Sequence, residues 1–537
     1  MKHKITSKSL LDLKIPGAPS VSPDGRHVVF SLRESNYEES RNVSRLWLAD
    51  VEEGKCRQLT FSYEGEHAPQ WSPDGKWIGF VSSRPNFLVL PDHDDDDEET
   101  DKDQVWVMPV GMGEAVRLTN ANQGVREFRW TPDSKSIIYL VDEARPSSLE
   151  FANREDRHKK IDPVVEHFDK RRKQFWEISV EEKKPELIYT GDYGIEELEI
   201  SPDGKHIVFT SNGTGEPNDY HLYELYVMEL EGESDPNKLV DAPGGKSMPR
   251  WSPDGTKIAY VAGLDPKLSY SQECVFLVGA SGGVPTNLSE GIDWDVELIH
   301  WDPGSQELLA LAAEKTFAPL FAYRENKWVK LDGPVIGAVC LDFDSGRDGT
   351  IAAVAENRMT VPELFVKAKD ADWKQVSNFG EAFLKNHELP EIEVINWTSD
   401  IGEIEGVVVS PSGKADAQLP LVIQVHGGPK GNSLASLRSY CHHAVFAAEG
   451  YRVLMPNYRG SAGYGNTFAV ANRRDLGGGD FRDIMAGIDH LEARGLATPG
   501  KIGIMGGSYG GYMTNWAIGQ TNRFTAAISM FGIFNLV

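Results

Sequence analysis

Cysteine is scarce in this chain: Cys56, Cys274, Cys340 and Cys441 lie far apart, with no C-x-x-C pair and no histidine at metal-ligand spacing. That excludes a disulfide framework and a cysteine metal site, and it reads as scattered buried thiols in a reducing compartment. No apolar run is long enough to span a membrane, and Met1-Lys2-His3-Lys4-Ile5-Thr6 has no apolar stretch behind it. Neither an anchor nor a secretory leader is expected, and the protein is placed in the cytoplasm. Basic residues are outnumbered, 55 Lys and Arg against 81 Asp and Glu, for a formal charge of −26. That balance argues against a nucleic-acid surface. Part of the acidic excess is local, since Asp92 to Asp103 holds nine carboxylates and one lysine. The run lacks the glycine-containing ligand spacing of a calcium loop and reads as a solvated insertion; no metal and no cofactor is expected.

What the chain has in quantity is one kind of turn. Ser22-Pro23-Asp24-Gly25 recurs as Ser72-Pro73-Asp74-Gly75, Thr131-Pro132-Asp133-Ser134, Ser201-Pro202-Asp203-Gly204 and Ser252-Pro253-Asp254-Gly255, then degenerates to Asp302-Pro303-Gly304. Proline pre-sets φ at the second turn position, and Gly accepts positive φ. Trp71, Trp130, Trp251 and Trp301 precede these turns, and strand-like runs such as Trp77 to Val81 and Lys257 to Val261 follow them. A second marker, a short strand end, falls near Leu59, Leu118, Leu187, Leu239, Leu288, Leu331 and Val376, at spacings of 43 to 69 residues. Seven units of about four short antiparallel strands predict a seven-bladed β-propeller over 21–380, after an N-terminal segment 1–20. The acidic run and the stretch 144–175 are insertions into blades, on one face of the ring.

Over 381–537 strands alternate with helices, the pattern of an α/β-hydrolase domain with a doubly wound, mostly parallel sheet. An opening hairpin (393–397 and 404–409) leads to the buried strand Leu421 to Val425 and then to His426-Gly427-Gly428-Pro429. Lys501 to Met505 delivers Gly506-Gly507-Ser508-Tyr509-Gly510-Gly511, and a helix follows. A serine between glycines on a strand-to-helix turn is how this fold presents a nucleophile. The oxyanion hole of such folds uses the N–H after the nucleophile and one from the earlier loop, which assigns Tyr509 and Gly428, with Gly427 the neighbouring alternative.

A serine hydroxyl needs a base, and in this fold the acid and histidine follow the serine in the chain. From Ser508 to Val537 there is no histidine, aspartate or glutamate. The chain as written is therefore expected to be catalytically silent, its sheet truncated and its acid and histidine lying beyond Val537. His426 is expected to shape the oxyanion turn rather than to act as a substitute base, and His442 and His443 to sit on the next helix.

Propeller first, hydrolase second, His426-Gly427-Gly428-Pro429, Asn457-Tyr458-Arg459-Gly460-Ser461-Ala462-Gly463-Tyr464-Gly465 and the serine elbow together resemble the prolyl oligopeptidase family of serine peptidases, and His-Gly-Gly-Pro resembles its acylaminoacyl-peptidase branch. The resemblance implies cleavage of short peptides or acyl-aminoacyl peptides through an acyl-enzyme on Ser508, with the propeller restricting access by folded proteins. The dipeptidyl-peptidase branch holds a substrate amino terminus with adjacent glutamates. Glu196-Glu197 read as blade surface and Glu98-Glu99 as part of the acidic run, so dipeptide release is not expected. An esterase of the same fold and a non-catalytic propeller scaffold are the rival readings.

Overall fold

The computed structural model describes residues 2–85, 102–111, 113–144, 171–192, 194–232, 235–437 and 443–534. The acidic run up to residue 101, most of the second insertion, Cys441 and His442 lie outside the described residues.

Each recurrent turn is closed by its own side chains. In the first, the Ser22 hydroxyl donates to Asp24 (2.6 Å), the His27 N–H donates to Ser22 Oγ (2.9 Å), and the Arg26 N–H donates to Asp24 (3.1 Å). Gly25 completes the turn at φ +68°. The same pattern returns around Ser72, Thr131, Ser201 and Ser252. The serine hydroxyl holds the carboxyls of Asp24, Asp203 and Asp254 below their ordinary value. Each turn joins the first two strands of a four-stranded antiparallel sheet made of consecutive strands, from Ile15–Val21 in the first sheet to Lys374–Gln375 in the seventh.

These sheets are the seven blades of a propeller, and they close into a ring. Successive side chains of a strand point to opposite faces, so Val29 packs against the second blade while Val28 and Phe30 pack against the seventh. One apolar cluster fills each interface between neighbours. The last of them joins Val21, Val28 and Phe30 to Ala352, Val354 and Leu364, across the closure. The first blade opens at Ile15, ahead of its marker turn, because the inner strand precedes that turn.

Inner strands are sheet edges with unpaired N–H groups. Carboxylates from the preceding blade cap several of them: Glu127 accepts from Leu198 N–H (3.2 Å), Glu197 from Met248 (2.8 Å) and Glu199 from Trp251 (2.7 Å). At the closure Asp342 accepts from Ala18 (2.9 Å) and Asp344 from Val21 (2.7 Å). Burial pushes Asp344 up to about 7 from its ordinary 3.8, against the N–H bonds that favour its anion. The folded protein therefore holds this proton more tightly than the unfolded chain does. The stability it contributes is complete below about pH 4 and is lost as pH rises through 7. Asp344→Asn keeps an acceptor for Val21 and removes the titration. It is expected to raise the melting temperature by a few degrees at pH 8 and by less at pH 5; equal shifts at both pH values would refute this account.

Among the described residues the hydrolase sheet has six strands: β1 (Glu391–Ser399), β2 (Gly402–Ser410), β3 (Leu419–Val425), β4 (Arg452–Asn457), β5 (Ala497–Gly507) and β6 (Phe524–Met530). Their order is β1-β2-β4-β3-β5-β6, antiparallel through β1, β2 and β4 and parallel from β4 to β6. Helices α1 (His443–Ala448), α2 (Gly479–Ala493) and α3 (Tyr509–Gln520) cover it. Ile484, Ile488 and Leu491 of α2 face the core, as their spacing requires. The N-terminal residues are not a separate segment. His3 N–H donates to Asn386 O (2.7 Å), and Ile5 and Leu13 are buried with Val407, Val409, Val453 and Met455 of the hydrolase core. Among the described residues no helix is long and apolar enough to cross a membrane.

Candidate active site

Strand β5 ends in Gly506-Gly507, and Ser508 turns the chain into α3 at φ +55° and ψ −119°. A non-glycine residue at positive φ is strained, and here the turn between a strand and a helix over-determines it. The flanking glycines are demanded by contact: a Cβ on Gly510 would stand 2.1 Å from Val425 O, and one on Gly506 would stand 2.6 Å from that same oxygen. Ser508 N–H donates to Met530 O (3.1 Å), and Ser508 O accepts from Tyr512 N–H (2.9 Å). The residue is thus pinned by its backbone, and Ser508 is exposed between buried neighbours.

The loop after β3 crosses the nucleophile at Gly427. A Cβ placed there would lie 3.4 Å from Ser508 Cβ and 4.0 Å from its Oγ. Gly428 follows at φ +127°. Tyr509 N–H is the first of α3 and has no intrahelical acceptor. The Tyr509 hydroxyl is anchored behind the elbow on Asp480, whose carboxyl burial raises to about 6.

His426 faces away from this chemistry. Its Nδ1 bonds Gly427 O (2.8 Å), its Nε2 pairs with Ser461 Oγ (2.9 Å), and its ring stacks on Tyr458 at 4.3 Å. Tyr458 OH donates to His426 O (2.8 Å). Burial pulls the imidazole down to about 4. His443 is buried on α1. Among the described residues neither an imidazole nor a carboxylate hydrogen-bonds the Ser508 hydroxyl.

The Asn457 to Gly465 loop is held by its own side chains. Asn457 Oδ1 accepts from Ser433 N–H (2.6 Å), and its Nδ2 donates to Tyr464 OH (2.9 Å). Arg459 spans Asp483, with Nε to Oδ2 at 2.8 Å and Nη2 to Oδ1 at 2.6 Å. Glu196 is exposed on the fourth blade, while Glu197 is spent on the Met248 N–H. Glu98 and Glu99 lie outside the described residues.

Residues 438–537 match the model of the prolyl oligopeptidase family. Over its full length the chain is 27% identical to the uncharacterized peptidase YuxL of Bacillus subtilis, covering 83% of that protein. It is 24% identical to dipeptidyl-peptidase 5 of Porphyromonas gingivalis, with 99% of this chain aligned to 79% of the relative. Among solved structures, Pyrococcus horikoshii acylaminoacyl peptidase superposes with a TM-score of 0.81 at 21% identity, over 99% of this chain and 79% of that one. That likeness is one of fold, the same two-domain architecture, while the matched stretch contains Ser508 and its elbow. Residues 438–537, which carry Ser508 and its elbow, are thus similar to the prolyl oligopeptidase family, and the protein is a serine-type peptidase.

Proposed function

We propose that the protein hydrolyses short peptides and acyl-aminoacyl peptides through an acyl-enzyme on Ser508. Ser508 Oγ attacks the scissile carbonyl, and the Tyr509 and Gly428 N–H groups hold the resulting oxyanion. The observation that carries this reading is the exposed Ser508 at φ +55° with the Gly427 backbone packed against its side chain. The mechanism requires an acid and a histidine that the stretch from Ser508 to Val537 lacks. His426 does not substitute, because both its ring nitrogens serve the loop. The ring of blades beside the site supports a preference for short substrates over folded proteins. Cys56, Cys274 and Cys340 are free thiols, which supports a reducing compartment, the cytoplasm.

The test compares acyl-amino-acid anilides, dipeptidyl anilides and simple esters as substrates of the gene product, together with fluorophosphonate labelling. Faster turnover of acyl-amino-acid anilides than of dipeptidyl anilides is expected; the reverse order would reassign the protein to dipeptide release, and activity on esters alone would make it an esterase. Labelling of Ser508 is expected in the active gene product, and turnover that survives complete labelling would sink the assignment of Ser508 as nucleophile.

A further inference from the structure

The hydrolase domain sits on the end of the ring where inner strands begin, and its two loops beside Ser508 are both gripped there. Lys430, immediately after the Gly427-Gly428-Pro429 turn, is nearly buried and reaches into the propeller. Its Nζ donates to Ser271 O at 2.6 Å, and it pairs with Asp295 at 3.0 Å and with Glu273 at 3.4 Å. Asp295, at the start of the sixth inner strand, is buried too. Its Oδ1 also accepts the Glu273 N–H (2.9 Å), and its Oδ2 accepts the N–H of Gly463 (2.7 Å). One propeller carboxylate therefore ties down the oxyanion loop through Lys430 and the Asn457 to Gly465 loop through Gly463. The two loops are joined directly as well, Ala462 N–H to Gly431 O at 2.9 Å. The sixth blade adds Lys315 N–H to Gly463 O (3.0 Å) and receives Gly465 N–H on Asp293 O (2.7 Å).

We propose that Lys430 and Asp295 are a positioning pair, through which the propeller holds the oxyanion loop in its working shape. The inference rests on the reading of Ser508 and Gly428 given above. A mobile ammonium on a four-carbon stem gains nothing from burial unless its charge is matched, and Asp295 and Glu273 supply the match. With the pair intact, the turn from Gly427 to Lys430 is fixed at both ends, by His426 on Gly427 O and by Lys430 on Asp295. Oxyanion donors act only if they are preorganised, and a shift of about 1 Å in such a group costs on the order of 100-fold in rate. The pair touches no reacting atom, so its loss is expected in kcat rather than in KM.

The experiment measures kcat and KM of Lys430→Met, Asp295→Asn, the double variant and Lys430→Arg in the gene product, with active sites counted by fluorophosphonate titration. Each of the first two is expected to lower kcat per active site by about 10- to 100-fold with KM within about threefold of the parent. The double variant is expected to be no worse than the weaker single one, because the two residues act as a unit. Lys430→Arg is expected to recover most of the rate. Unchanged kcat per active site in a folded variant would overturn the proposal, as would additive losses. Should Lys430→Met fail to fold, Lys430→Gln, which keeps an amide donor for Ser271 O without the charge, reads the same quantity. Full activity in Ser508→Ala would instead sink the catalytic reading itself and the pair's role with it.

Discussion

Ser508→Ala is expected to lower kcat of the gene product by about 10⁴- to 10⁶-fold while leaving KM within a few fold, because the hydroxyl makes the covalent bond and, among the described residues, is held by no other side chain. Alanine at φ +55° is no more strained than serine, and neither Gly507 nor Gly510 changes, so the elbow should persist and substrate should still bind. A melting temperature within a degree or two of the parent would show that the fold is retained. What activity remains measures the oxyanion donors and substrate positioning alone. Steady-state hydrolysis of an acyl-amino-acid anilide by the purified variant decides the matter. Residual activity above about 1% of the parent would mean that another nucleophile operates and that the strain at Ser508 serves something else.

The nucleophile was legible because its chemistry is local. Gly506 to Gly511 must be glycine-rich wherever a helix starts this close to Val425, and that requirement leaves its mark in consecutive residues. The blade turns were legible for the same reason, each one closing on its own hydroxyl and aspartate. The seventh turn is built on Asp348, which accepts from the Thr350 N–H (3.1 Å) and hydroxyl (2.8 Å), with Gly349 at φ +84°. An Asp-Gly pair was its only signal, and the serine and proline of the other turns are absent there.

Contacts between distant parts of the chain left no such mark. Ile5 and Leu13 look like any two apolar residues flanking a short helix, yet they fill the hydrolase core some four hundred positions away in sequence. Glu197 is adjacent to Glu196, which suggested a shared role or a shared surface. In the ring Glu196 is exposed and Glu197 caps the Met248 N–H, because the inner strand bulges between Glu196 and Glu199 and Glu197 sits at φ +55°. Lys430 reads as a solvated lysine after a proline until blades five and six are brought against it. A single sequence shows which residues can make a turn or a strand; which buried charge meets which is decided by the closure of the ring and the seating of the second domain.

Arg452→Met is expected to cost about 3–5 kcal/mol of hydrolase-domain stability while leaving kcat per active site unchanged. Arg452 opens β4 and is fully buried. Its five N–H donors meet five acceptors: Ser410 Oγ (3.0 Å), Ala417 O (3.0 Å), Leu496 O (2.6 Å), Lys414 O (3.1 Å) and Ala415 O. The guanidinium thus organises the 411–418 loop and the end of α2's return to the sheet without a carboxylate partner at ion-pair distance among the described residues, and burial lowers its pKa in consequence. Methionine matches the stem and satisfies none of the acceptors, each of which costs about 1–3 kcal/mol if it stays dry. Relaxation of the loop toward water recovers part of that sum, which is why the expected loss is smaller than five full penalties. Arg452→Lys should fall between the two, since three donors on one nitrogen cannot span acceptors spread over two loops. The catalytic readout separates this residue from Lys430: Arg452 stands at the opposite end of β4 from Asn457, roughly 16 Å from the loop that flanks Ser508. Urea unfolding followed by hydrogen exchange at β4 amides reads the stability of this domain apart from the propeller, where a two-state treatment of the whole chain would mix the two. A loss below about 1 kcal/mol would show that the 411–418 carbonyls are solvated without the arginine, and a loss of kcat per active site as large as that of Lys430→Met would show that the sheet, not the propeller contact, sets the shape of the oxyanion loop.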